Sequence, residues 1–211
     1  DVCLAILERL KKLCNSQPDY VHGESVALHA RLIETATIGV FDERDYFLGE
    51  SGMLAGNTAR ILGRYDVSEH WLNLAESAFR HTVNPAPLLL IATHARLALR
   101  YDMRRYAEVL ALLPTVVAEY ARLGMTNESA KAKFLEAVTL KELGQIDKAF
   151  AGFLALRSSF AQEPNFRSLV LANIAEEYGR RNEQEEAIDA YREALELAKL
   201  TGDTVASVQL K

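Results

Sequence analysis

The chain has 211 residues, 49% of them hydrophobic and 25% charged, and a net charge of −5. That is the balance of a soluble chain of one or two globular domains, or of one solenoid. The mildly acidic total argues against a generic nucleic-acid binder, which carries a basic face, and no apolar run approaches the length of a membrane span.

Apolar residues recur at three and four, and strict alternation is rare, so the chain reads as all-α. Leu4, Leu7, Leu10 and Leu13 predict a first amphipathic helix from Val2 to Cys14. Asn15 to Asp19, with Pro18, breaks it. A second helix is predicted from Glu24 to about Val40, with Val26, Ala30, Ile33, Thr37 and Val40 on its inward stripe. After a polar turn at Asp42 to Asp45, a third helix reaches about Leu62, with Leu48, Ala55, Ala59 and Leu62 inward. Gly63 to Asp66 is a tight turn, and the helix beyond it carries Trp71, Leu74, Ala75, Ala78 and Phe79. Pro85 and Pro87 end that unit, because proline removes a donor and clashes inside a helix. Two helices follow, Pro87 to Arg100 and Arg104 to Leu123, and Gly124 is a C-terminal stop. Four more run from Glu128 to Leu143, Ile146 to Phe160, Asn165 to Arg180 and Glu183 to Leu200. Thr201-Gly202-Asp203 stops the last, and Val205, Val208 and Leu210 predict a short terminal helix over 203–211.

Four segments share one spacing. Ser68, Ala107, Ala149 and Ala187 stand at intervals of 39, 42 and 38 residues, a period that means stacked helical hairpins. Small residues would let paired helix axes approach: Gly56, Ala95, Ala137 and Ala175 on first helices, and the four above on second helices. Trp71, Phe153, Tyr191, Leu140 and Tyr178 would fill the gaps, and stacking would bury the face that one hairpin leaves open.

The stretches Leu143-Gly-Gln-Ile-Asp-Lys-Ala149-Phe-Ala-Gly-Phe153 and Gln184-Glu-Glu-Ala187-Ile-Asp-Ala-Tyr191-Arg-Glu-Ala194-Leu resemble tetratricopeptide repeats. The resemblance implies a right-handed superhelical solenoid of antiparallel hairpins over 1–211. Its parts would be an atypical pair at 1–45, hairpins at 46–84, 86–124, 127–162 and 165–200, and the terminal helix. The spacing is longer than the family's usual ~34 residues, and is similar to that in sensor domains of bacterial transcriptional activators. Pro114 is expected to kink or split its helix, and Glu136 stands where the family places an apolar residue.

Little in the chain suggests chemistry. Cys3 and Cys14, three helical turns or ~16 Å apart, are too distant for a disulfide and read as buried thiols in a reducing cytoplasm. None of the five histidines has a partner at metal-ligand spacing; His94 reads as a core residue and His70 as surface. Gly49, Gly52 and Gly56 lack the ending of a phosphate loop and read as aids to helix packing. Glu183, Glu185 and Glu186 read as a solvated first turn. The basic and aromatic run Arg100 to Tyr106 offers little to nucleic acid in an acidic chain.

In the tetratricopeptide family the first helix of each hairpin lines an inner groove. On that basis the candidate partner-binding residues are Met53, Asn57 and Arg60, then Arg96, Leu99 and Arg100, then Phe134, Val138 and Lys141, and Glu176. Such a groove suits a peptide with acidic groups, since guanidinium pairs with carboxylate. The expectation is a non-catalytic, cytoplasmic, protein- or peptide-binding scaffold that uses no cofactor or metal and can self-associate. The alternative is a sensory or regulatory module of a larger signalling or transcription regulator, binding a peptide or small ligand. The start at Asp1 without an apolar leader is expected to be a cloning or processing boundary.

Overall fold

The computed structural model describes residues 2–35, 43–160 and 163–200. Among these, every regular element is an α-helix: α1 Val2–Leu13, α2 Pro18–Thr35, α3 Arg44–Ile61, α4 Tyr65–Phe79, α5 Pro85–Asp102, α6 Tyr106–Arg122, α7 Thr126–Glu142, α8 Ile146–Leu156, α9 Pro164–Arg180 and α10 Gln184–Leu200. The chain forms two compact units, residues 1–105 and 106–211. The terminal helix expected over 203–211, and Thr37 and Val40 of the second helix, lie outside the described residues.

One turn recurs throughout. Gly63, Arg104, Gly124, Gly144 and Asn182 all have positive φ, between 60° and 74°. Each follows a helix by two residues and closes it in the same way. At the first, the Arg64 amide donates to the Ala59 carbonyl and the Gly63 amide to the Arg60 carbonyl; at the last, the Glu183 amide donates to Tyr178 and the Asn182 amide to Gly179. This is the Schellman pattern, which satisfies carbonyls that a helix end leaves orphaned. Four of these turns, at 63, 104, 144 and 182, are separated by 41, 40 and 38 residues.

The turns correct the register of the repeat. Five residues beyond them stand Ser68, Val109, Ala149 and Ala187, all buried; Ala107 is exposed. Seven residues before them stand Gly56, Leu97, Ala137 and Ala175, all buried, whereas Ala95 is only half-buried. The third repeat therefore carries Leu97 and Val109 where the others carry small residues, and that substitution is what displaced the sequence alignment by two.

In the first unit α3 is the central helix, packed by α1, α2, α4 and α5. Three glycines on one stripe let α4 approach it. An ideal Cβ on Gly52 would lie 3.2–3.3 Å from Ala75 and from the Trp71 carbonyl, and one on Gly56 3.1 Å from Leu72. The helix-packing role expected of these glycines is thus what the geometry shows. α2 is pinned to the other side of α3 by two histidines. His22 Nδ1 donates to the Ala55 carbonyl at 3.1 Å, and His29 Nδ1 meets Ser51 Oγ at 2.9 Å.

α2 departs from the sequence reading. It starts at Pro18, where proline's missing N–H costs nothing because the first turn has no acceptor for it. Its buried stripe is Val21, Ser25, Leu28, His29 and Leu32, while Ala30 and Ile33 are exposed. Buried Ser25 and His29 hid this stripe from an apolar count; Ser25 Oγ donates back to the Val21 carbonyl. Cys3 and Cys14 form no disulfide and are half-buried against the α1–α3 core. His70 is exposed, and His94 is half-buried and not in the core.

In the second unit α6 packs on α7, α7 on α8, α8 on α9 and α9 on α10. The helix α6 runs unbroken through Pro114, which faces solvent, so the expected split does not occur. α8 ends at Leu156, four residues short of expectation; Phe160 then turns back at φ 65° and is buried against Phe166, with ring centroids 5.2 Å apart. Phe134 meets both Phe153 and Phe166, at 5.9 and 6.1 Å, so aromatic rings link α7, α8 and α9.

Candidate functional site

The residues expected to line a groove are mostly spoken for. Met53 and Leu99 are 7% and 2% exposed and belong to one core cluster with Leu72, Ala75 and Phe79. They cannot meet a partner: Met53 lies on α3, the helix that its unit surrounds, and Leu99 on α5 packs into the same core cluster. Asn57 and Arg100 are half-buried. Arg60 Nη1 donates to Asp102 Oδ2 at 2.5 Å. Arg96 turns toward α4, where Nη2 reaches Glu76 at 2.8 Å and Asn73 at 3.1 Å. These guanidiniums already have carboxylates from their own chain.

In the second unit the structure does bring the expected residues together. Phe134 and Val138 pack on the core that α7, α8 and α9 share. Lys141 Nζ bridges to Asn173 at 3.0 Å and to Glu176 at 2.5 Å, and Arg180 also reaches Glu176 at 2.5 Å. The space beneath this bridge, beside Phe150 and Phe153, is only ≈10 Å³, about the size of one water.

A larger opening lies about a quarter-turn round α7. It is a cleft of ≈620 Å³ bounded by α7, α8 and Ala121 of α6. Its α7 side is Thr126, Ser129, Ala130, Lys133, Glu136, Ala137 and Leu140, and its α8 side includes Lys148, Gly152 and Ala155. On α7 these positions follow the i, i+3, i+4, i+7 rule of a helix-packing seam. The stripe spans 15 residues, a rise of ~21 Å along the helix. Small side chains keep its floor low: an ideal Cβ on Gly152 would lie 3.1 Å from that of Ala137. Lys148 donates to the Gln145 side chain at 2.9 Å. Among the described residues neither Lys133 nor Glu136 has an ion pair. Glu136, the residue that breaks the repeat's apolar pattern, is therefore part of the cleft lining.

The side-chain pair of Ser51 and His29 is sealed. Ser51 Oγ donates to the Leu48 carbonyl at 3.0 Å, which leaves His29 Nδ1 as the donor to Ser51. Both side chains are buried, Trp71 sets its ring edge-on to His29 at 5.0 Å, and burial holds the His29 pKa below its ordinary value. That arrangement joins helices and offers no attacking hydroxyl. Among the described residues no group of three His, Cys, Asp or Glu side chains could hold a metal ion. No described helix is long and apolar enough to cross a membrane.

Compared with known proteins, the chain matches no protein-family model, no curated protein and no solved structure.

Proposed function

We propose that this chain is a non-catalytic, cytoplasmic interaction module, a tetratricopeptide-like superhelix of hairpins that receives a helical segment in the cleft over α7. The recurrent turn at near-constant spacing supports the repeat reading. The cleft itself carries the functional reading. Two adjacent helices present a packing seam floored by small residues that no described helix of their unit fills, and an amphipathic helix with anchors at i, i+3 and i+7 is the shape that fills such a seam. An acidic peptide paired with Arg60 and Arg96 would have to displace Asp102 and Glu76, and one paired with Lys141 would have to displace Glu176. A helix in the cleft displaces none of these.

A second reading is a regulatory module that senses a small ligand. The cleft volume favours it, since ≈620 Å³ falls within the ~300–1,000 Å³ of small-molecule sites.

Capture from the source lysate tests the cleft against the expected groove. Ala155→Arg fills the cleft from an exposed position, while Arg60→Ala with Arg96→Ala clears the expected groove. A protein partner kept by the groove variant and lost by the cleft variant supports the cleft. The opposite pattern returns the site to the groove.

A further inference from the structure

Among the described residues the cleft is one helix-receiving surface without an occupant, and the outer side of α10 is another. α8 uses Phe150 and Phe153 to receive α9: Phe150 meets Tyr178 edge-on at 5.3 Å, and Phe153 shares a core cluster with Val170 and Ile174. At the same places after the repeated turn, α10 carries Ile188 and Tyr191. Here they are 55% and 36% exposed. Leu195, one turn on, is half-buried and extends the stripe. The buried side of α10 is a separate row, Ala187, Ala190, Ala194 and Ala198.

We infer that α10 of one copy of this chain docks in the α7–α8 cleft of a second copy. Three observations fit the pair. Ile188, Tyr191 and Leu195 stand at i, i+3 and i+7, the anchor spacing a helix-in-groove contact uses. The Ala and Gly floor of the cleft accepts such large side chains, whereas another row of large residues would not fit there. The charges also complement: Lys133 and Lys148 outnumber Glu136 at the cleft, and the five acids of α10, Glu185, Glu186, Asp189, Glu193 and Glu196, outnumber its two bases, Arg192 and Lys199. Cleft and stripe are different surfaces of the same unit, so the contact is head-to-tail and each copy keeps one free end. Such a contact closes into a ring or grows into a filament.

This inference rests on the cleft reading and is tested apart from it, by sedimentation of the whole chain. Wild-type chain is expected to gain mass with concentration through the micromolar range. Ile188→Arg with Tyr191→Arg removes the stripe, and Ala155→Arg blocks the cleft; all three positions are exposed, and unchanged circular dichroism and melting temperature certify the fold. Each variant alone is expected to be a monomer. Mixed, they are expected to form a 1:1 heterodimer that grows no further, because only one good cleft and one good stripe remain. A wild-type chain that stays monomeric overturns the inference. So does a mixture that stays monomeric, which would mean a symmetric contact, or a stripe variant that assembles like wild type, which would mean that something other than a second copy covers α10. A monomeric chain that still loses a lysate partner on Ala155→Arg refutes only the self-docking and leaves the cleft reading intact.

Discussion

Gly49 lies directly under the ring of Phe79. An ideal Cβ on Gly49 would stand 2.1 Å from one ring carbon and 2.3 Å from another, inside any possible contact. Phe79 is almost fully buried and has nowhere to go. Gly49→Ala should therefore destabilise the fold, although alanine is the better helix former. Overpacking costs ~1–3 kcal/mol, of which improved helix propensity returns up to ~1 kcal/mol. Gly23, in α2, is the control: a Cβ there meets nothing within 4 Å, and Gly23→Ala should stabilise by ~0.5–1 kcal/mol. Urea midpoints that fall for the first and rise for the second are expected.

Arg104 holds φ at 60°, a conformation that costs a side-chain-bearing residue ~1–2 kcal/mol. Arg104→Gly should raise stability by ~1 kcal/mol, and Gly144→Ala, at the equivalent turn with φ 74°, should lower it by a similar amount. Thermal melts of the two variants beside wild type check the pair of opposite shifts.

These two sets of glycines also show what the sequence could tell. Gly63 and Gly144 are glycines because the turn needs them, so the hairpin period and the all-helical class were legible. Arg104 and Asn182 make the same turn without glycine, and Leu97 and Val109 replace its small neighbours, so the third repeat was misaligned. A helical wheel ranks the faces of α3 and α5 but cannot say which neighbouring helices cover them, hence Met53 and Leu99 were placed at a surface. The acids that engage Arg60 and Lys141 are Asp102 and Glu176, 42 and 35 residues away, and no local pattern announces them. The cleft was missed because Lys133 and Glu136 interrupt its stripe and because an uncovered seam is a property of the packed chain.

His29 should make the first unit acid-sensitive. Burial lowers its folded pKa below the ordinary 6.5. The unfolded chain then binds the proton more readily, so stability is complete above about 6.5, falls as pH drops through the window between that value and the folded pKa, and levels off below it. His29→Asn should remove this part of the pH dependence. Urea titrations at pH 7.5 and pH 5.5 are expected to show a smaller difference between the two midpoints in the variant than in wild type.

Arg60 and Asp102 join α3 to α5 across a partly buried 2.5 Å contact, each side chain 24% exposed. A double-mutant cycle with Arg60→Ala and Asp102→Ala should return a coupling of ~1 kcal/mol, at the upper end for partly exposed pairs. A coupling near zero would free Arg60 for a partner and revive the groove.

The cleft is the centre of this account, and a photo-activated cross-linker placed at residue 155 interrogates it most directly. Residue 155 lines the cleft from α8, and residue 104, on a turn of the other unit, serves as the control position. With whole chain in source lysate, a discrete adduct is expected from 155, mapped by mass spectrometry to a helical segment with apolar residues at i, i+3 and i+7, and no such adduct from 104. Residues 188 to 195 of a second copy are the segment expected. No discrete adduct from 155, or the same adducts from both positions, would contradict the claim that the cleft receives a helix.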